Sequence, residues 1–206
     1  MCMEQTPWEK AVDFHGHNCP GLAIGYRAAW EALERLDTGP ARDEEMVAIV
    51  ETDACGVDAV QVLTSCTFGK GNLIYRDYGK QAFTFGVRGK KEGVRLAVKY
   101  GALDKLAPEG WKTLREKAAR QEATEEEREK IRAYQAEMID LLLHEPVEEI
   151  FDIQQVEVDL PPKARLFDSV QCAFCGEGVM EPRARVKEGK FACPVCFEGY
   201  PSRISK

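Results

Sequence analysis

Leu22, Ala23, Tyr26, Ala29, Trp30 and Leu33 recur at helical spacing after Pro20, and Thr38-Gly39-Pro40 stops the run. Pro20 fits the first helical position, where its missing N–H costs nothing. Met46 to Val50 is a continuous apolar run that predicts a buried strand. Glu51-Thr52-Asp53 leads from it into a second helix that ends near Leu63. Asn72 to Arg76 and Ala82 to Val87 predict two strands joined by the turn Asp77-Tyr78-Gly79-Lys80.

Residues 89–150 predict mostly charged helix. Thr124 with Glu127 three positions later is a capping-box pattern. The helix it starts carries an apolar stripe of Ile131, Tyr134, Met138, Leu141 and Leu142, which fits a solvated helix with one packed face; a partner or dimer helix is the alternative. His144, before Glu145-Pro146, suits a helix-end cap. Ile153 to Val158 alternates like a strand, and Pro161-Pro162 marks a boundary. The expected organisation is a domain over 1–160, a linker over 161–171 and a cysteine-rich tail over 172–206.

With 206 residues the chain can bury one full core and carry a small appendage. No run approaches the roughly 18–20 apolar residues of a membrane span. The first residues lack the basic and apolar regions of a signal peptide, so a cytoplasmic location is the default expectation. Residues 172–206 hold six Lys/Arg and four Asp/Glu, so of the net charge of −7 the remainder carries −9. An acidic body disfavours sequence-independent nucleic-acid binding.

Eight cysteines in such a chain point to metal ligands or reactive thiols before disulfides. Cys172-x2-Cys175, seventeen residues, then Cys193-x2-Cys196 is a four-thiolate signature: each pair brings two sulfurs to a metal from one tight turn. Gly176 and Pro194 suit such knuckles, and Val179 to Val186 with Lys190-Phe191 predicts the short hairpin of a zinc ribbon. About 35 residues cannot fold on apolar burial alone, so the metal would supply folding energy. Zinc is expected there, with a four-thiolate iron site as the rival. A closed shell leaves no position for substrate. Arg183, Arg185, Lys187 and Lys190 fit a solvated basic face better than a contact for an acidic partner.

Phe14-His15-Gly16-His17-Asn18-Cys19-Pro20-Gly21 concentrates two of the three histidines beside a thiol. A tight turn in an otherwise extended segment can aim at least two of these side chains at one point. Cys19 precedes the first predicted helix and Cys55 stands at or near the start of the second. Helix N-termini favour thiolates, so both sulfurs are expected to be poised for ionisation. Cys66 lies eleven residues beyond Cys55, roughly 16 Å away if the segment is helical, and cannot share a metal with it within one subunit. His17, Cys19 and Cys55 therefore form the expected set, open at a fourth position, with His15 as the extra candidate. Cys66 fits a buried thiol, with a redox or dimer-interface role behind it. Cys2, next to the start, is assigned no role. Asp53 and Asp58 are candidate acid/base or supporting groups. Phe68-Gly69-Lys70-Gly71-Asn72 is a glycine-rich turn without the spacing of a phosphate-binding loop.

That octapeptide, with Glu51-Thr52-Asp53-Ala54-Cys55-Gly56-Val57-Asp58-Ala59-Val60-Gln61 and Cys66-Thr67-Phe68-Gly69-Lys70-Gly71-Asn72, resembles the signatures of the FmdE family. The family takes its name from one of the subunits of molybdenum/tungsten formylmethanofuran dehydrogenase. The likeness spans roughly residues 10–160, with the ribbon as a common addition. It implies an α+β domain with a mixed sheet and packed helices, similar to the catalytic domain of glyceraldehyde-3-phosphate dehydrogenase. It also implies homodimers, and metal around the His-x-Cys motif, carried here onto His17, Cys19 and Cys55 with His15 and Cys66 in reserve. Two zinc sites per chain follow.

Three functions are compatible with these features. The leading one is a metal-binding accessory subunit or partner of a molybdenum/tungsten formylmethanofuran or formate dehydrogenase-type oxidoreductase, with a metal or small anionic ligand in the open site. The second is a stand-alone metal-dependent enzyme acting on a small carbonyl or anionic substrate, with Asp53 or Asp58 as base. The third is a zinc-ribbon nucleic-acid-binding regulator.

Overall fold

The fold was analysed in a computed structural model, which describes residues 5–199. Cys2 and residues 200–206 of the tail lie outside them. The chain divides into two compact units, Met1–Lys163 and Ala164–Lys206.

The first unit holds a five-stranded mixed sheet with packed helices. In chain order its elements are α1 (Pro7–His15), α2 (Pro20–Arg35), β1 (Met46–Val50), α3 (Gly56–Thr64), β2 (Leu73–Tyr75), β3 (Ala82–Val87), β4 (Glu92–Val98), α4 (Ala102–Leu106), α5 (Trp111–Ala119), α6 (Glu125–His144), α7 (Val147–Ile150) and β5 (Phe151–Glu157). The strand order is β2-β1-β3-β4-β5; only β1 and β2 run parallel. The core gathers Leu22, Ile24 and Ala28 of α2, Val60 of α3, Phe83 and Phe85 of β3, Leu96 of β4, Leu142 of α6 and Phe151 of β5.

Local chemistry sets several boundaries where the spacing predicts them. Pro20 opens α2, and Met46–Val50 is a strand buried along its whole length. The Thr124–Glu127 capping box is formed at the start of α6. Met138 and Leu142 of its stripe are buried, and Ile131, Tyr134 and Leu141 half-buried. His144 ends the helix with Nδ1 2.9 Å from the Asp140 carbonyl.

Four expectations need correction. The octapeptide is not an extended segment: Phe14 and His15 end α1, a helix opened by a second capping box between Thr6 and Glu9. Gly16 caps that helix at φ 88°, a left-handed conformation that only glycine adopts without strain, and its N–H bonds the Val12 carbonyl. β2 and β3 do not pair with each other, because β1 lies between them and takes both as neighbours. β4 interrupts the stretch expected to be helix. Its Arg95 is held by Glu51 through two 3.0 Å hydrogen bonds, so a charge that breaks the apolar pattern is satisfied inside the fold.

The fourth correction concerns the second unit. Its strands are β6 (Ser169–Gln171), β7 (Gly178–Met180), β8 (Arg185–Lys187) and β9 (Lys190–Ala192), forming two separate hairpins, β6-β7 and β8-β9. Val179 pairs backward with Val170 instead of forward across the second turn. The buried cluster of this unit contains Cys172, Val179, Ala192 and Cys193. Two of these four are thiols, so apolar burial contributes little here.

Candidate functional site

The end of α1 and the start of α2 face each other across residues 16–19. That tight reversal brings together His15, His17 and Cys19, with one ligand atom of each within 4.8 Å of the others. The two imidazole rings lie 4.5 Å apart, centroid to centroid. His15 is oriented from a third element: its Nδ1 lies 2.7 Å from Oδ2 of Asp58 on α3, and its Nε2 lies 3.8 Å from Cys19 Sγ. A carboxylate on Nδ1 leaves Nε2 as the free donor, the arrangement that prepares an imidazole for a metal. Gln61, one turn further on, donates to the other Asp58 oxygen at 3.3 Å.

Cys55 reaches the same place from α3. A Cβ built on Gly21 would lie 3.7 Å from Cys55 Sγ and 3.9 Å from Cys19 Sγ, so the two thiols flank this glycine. Close helix contact makes this possible. A Cβ on Gly25 of α2 would fall 1.9 Å from the carbonyl oxygen of Gly56, so α2 and α3 meet backbone to backbone. Cys19 and Cys55 each occupy the residue before their helix; only Cys19 caps, its sulfur accepting from the Leu22 N–H at 3.4 Å. Of the expected set, His17 and Cys19 therefore fall in one tight cluster that also contains His15. Cys55 stands beside Cys19, outside the group defined by the 4.8 Å limit.

The expectation that both thiols are poised for ionisation is corrected for Cys19. Burial pushes its thiol above the ordinary range; the Leu22 and Gly21 N–H groups pull it down, and Cys55 adds to the rise. A coordinated cation reverses that balance, because a metal-bound thiol is deprotonated outright. Cys66 is wholly buried and donates to the Met46 carbonyl at 3.4 Å, apart from this cluster. Asp53 is exposed and lines a cavity of about 500 Å³ with His15, Cys55 and Asp58. In the glycine-rich turn, buried Asn72 accepts from the Thr67 N–H and donates to the Asp43 and Met46 carbonyls, so its role is to lock the loop.

The spacing fits a tetrahedral ion. Bond lengths of about 2.3 Å to sulfur and 2.0–2.1 Å to nitrogen imply a tetrahedral S···N edge of about 3.6 Å. The observed Cys19–His15 separation is 3.8 Å. In the second unit the sulfurs of Cys172, Cys175, Cys193 and Cys196 all lie within 4.8 Å of one another. Cys175 and Cys193 are 3.9 Å apart, close to the edge of about 3.8 Å that four Zn–S bonds would set. The Cys193, Cys175 and Phe174 N–H groups draw the Cys172 thiol down to about 6, whereas the neighbouring Cys193 thiol pushes Cys196 up to about 12. Four thiols this close cannot all ionise without a cation between them.

A cleft of about 720 Å³ opens beside the first cluster, with Cys19 and Cys55 in its wall. Sequence reasoning did not join these to the cleft's other residues: Gln81, Lys99, Trp111, Arg115 and Met138 share no motif and come from four separate places in the chain, Trp111 and Arg115 being one turn apart on α5. The His15–Asp58 pair was equally hidden, although each residue is chemically suited to a site when taken alone.

Residues 14–152 match the family model described as "FmdE, Molybdenum formylmethanofuran dehydrogenase operon". An Archaeoglobus fulgidus protein named "Probable S-adenosyl-L-methionine-binding protein" is 36% identical over 202 residues; the match covers 96% of this chain and 54% of the relative, so the chain spans about half the relative's length. Among solved structures, a tungsten formylmethanofuran dehydrogenase FmdE-like protein from Syntrophus aciditrophicus is similar at a TM-score of 0.58 and 26% identity, covering 91% of this chain and 88% of that one. No helix among the described residues is long and apolar enough to cross a membrane. By the span of its match, which includes both the His-x-Cys turn and the Cys55 helix start, the chain belongs to the FmdE family.

Proposed function

We propose that this protein is a metal-binding accessory subunit or partner of a molybdenum or tungsten oxidoreductase of the formylmethanofuran or formate dehydrogenase type. The observation that carries the reading is the convergence of His15, His17 and Cys19 within 4.8 Å, with Cys55 alongside, in a chain of this family. His17, Cys19 and Cys55 would hold one metal, with His15 as a further donor set by Asp58. Cys172, Cys175, Cys193 and Cys196 would hold a structural zinc. A metal in the first site would supply Lewis acidity beside an accessible cleft; the second would supply folding energy. In this reading residues 1–160 are the metal-binding domain, built like the catalytic domain of glyceraldehyde-3-phosphate dehydrogenase. Residues 161–171 are a linker and 172–206 a zinc ribbon, and the protein works as a cytoplasmic homodimer. Affinity purification of the tagged chain from its native cells tests the role. Recovery with a molybdenum or tungsten oxidoreductase supports it, and repeated recovery of the chain alone overturns it.

The cleft favours a second reading, a metal-dependent enzyme in its own right acting on a small carbonyl or anionic compound. Loss of a detected turnover in a His17→Ala variant that keeps its fold would establish it. The name of the Archaeoglobus relative also makes S-adenosyl-L-methionine a ligand to titrate against this chain by calorimetry.

A further inference from the structure

The 720 Å³ cleft lies in the size range of small-molecule sites and far exceeds the roughly 30 Å³ share of one water. Its wall is mixed in a specific way. Ile24 of α2, Trp111 of α5 and Met138 of α6 supply apolar surface; all three are largely buried, and Ile24 belongs to the main core. Gln81, just before β3, lines the cleft; its side-chain oxygen is shielded from solvent and accepts no hydrogen bond among the described residues, and a rotation of the amide would present it to the cleft. An orphan acceptor of this kind is destabilising unless a donor reaches it.

The charges differ in availability. Lys99 is committed to the Glu148 carbonyl and lies 4.0 Å from Asp152. Arg115 has no ion pair among the described residues; its guanidinium lies 5.8 Å from the centre of the Trp111 ring. A cation parked on an aromatic face at the edge of a cleft remains free to take an anionic group. Asp104, exposed in the same wall, opposes this and sets the net charge of the wall at +1 with Lys99 and Arg115. Cys19 and Cys55 also line the cleft.

We propose that this cleft binds a small organic anion with a flat apolar body and a hydrogen-bond donor, the body against Trp111 and Met138, the anionic group at Arg115 and the donor on Gln81. A molecule so seated has its surface beside Cys19 and Cys55, so the proposal deepens the reading of the open metal site by naming the class of ligand it serves. It rests on that reading only for what happens at the thiols. The cleft itself stands without a metal.

Three probes separate the recognition elements: 4-aminobenzoate carries charge, ring and donor, benzoate lacks the donor, and 4-aminobenzamide lacks the charge. Ligand-observed NMR titration of the zinc-loaded full chain should give saturable binding of 4-aminobenzoate and weaker binding of the other two. Arg115→Ala and Gln81→Leu should each weaken 4-aminobenzoate by roughly fivefold or more with metal content unchanged. Arg115 is on the surface, so its variant keeps the test usable if Gln81→Leu fails to fold. No saturable binding, or equal binding of all three probes, overturns the proposal. Metal retained with no binding removes the ligand class alone. Binding that persists in a chain shown to take up no metal at its histidines removes the metal reading and leaves the cleft.

Discussion

Asp58 Oδ2 lies 2.7 Å from His15 Nδ1, across 43 residues of sequence, and the same ring presents Nε2 to Cys19 Sγ at 3.8 Å. The helix that delivers Cys55 thus also orients the histidine that faces Cys19. One element supports the cluster twice.

Replacing that carboxylate tests its part in metal affinity. Asp58→Asn keeps the size but weakens the hold on the imidazole and its basicity. Zinc competition against a chromophoric chelator should show about 10–100-fold weaker binding at the first site, with thermal unfolding little changed. Unchanged affinity would leave the 2.7 Å contact as simple packing.

The meeting of α2 and α3 depends on two glycines. Gly25→Ala places a methyl 1.9 Å from the Gly56 carbonyl oxygen, and the helices must part. Overpacking of this kind costs about 1–3 kcal/mol, so the melting temperature should fall by several degrees. Metal binding at the first site should weaken as Cys19 and Cys55 separate. Gly39→Ala, where an added Cβ meets nothing within 4 Å, is the control and should melt like the parent.

Cys66 gives the fold a pH dependence of predictable sign. Burial pushes its thiol up, so the folded chain keeps the proton at a pH where the unfolded chain has begun to lose it. Stability is fully present below the ordinary thiol pKa of about 8.5 and declines as pH rises through it toward the folded value. Urea melts between about pH 7 and pH 10 should bracket this fall. Cys66→Ala should reduce its slope while lowering stability throughout. The thiol should react with a disulfide-type thiol reagent only on unfolding.

Elemental analysis of the parent beside a Cys172→Ser/Cys175→Ser variant counts the sites. Near two metals per chain should become near one, with the first unit still folded. The tail should lose its dispersed NMR signals in the variant, because its buried cluster is two thiols with Val179 and Ala192 and little else. One metal falling to none would leave the histidine cluster without an ion.

Much of the chain is written locally. Pro20 at a helix start, the Thr124–Glu127 box, the apolar run of β1 and the paired Cys-x2-Cys turns act over a few residues, and spacing alone places them. The candidate ligands are visible for the same reason, since histidine and cysteine are rare and their chemistry is intrinsic. Tertiary structure decided what those residues face. β1 inserts between β2 and β3, pairing with β3 and β5 makes a strand of the segment around Arg95 while Glu51 satisfies its charge, and Gly25 admits Gly56. Each is a contact between positions far apart in the chain, whose energy arises only when both partners are already folded. Nothing in the spacing of His15 names Asp58 as its partner, nor does any motif bring Gln81, Trp111 and Arg115 to one cleft. Local sequence determined which chemistry the chain can offer; long-range packing decided where it converges.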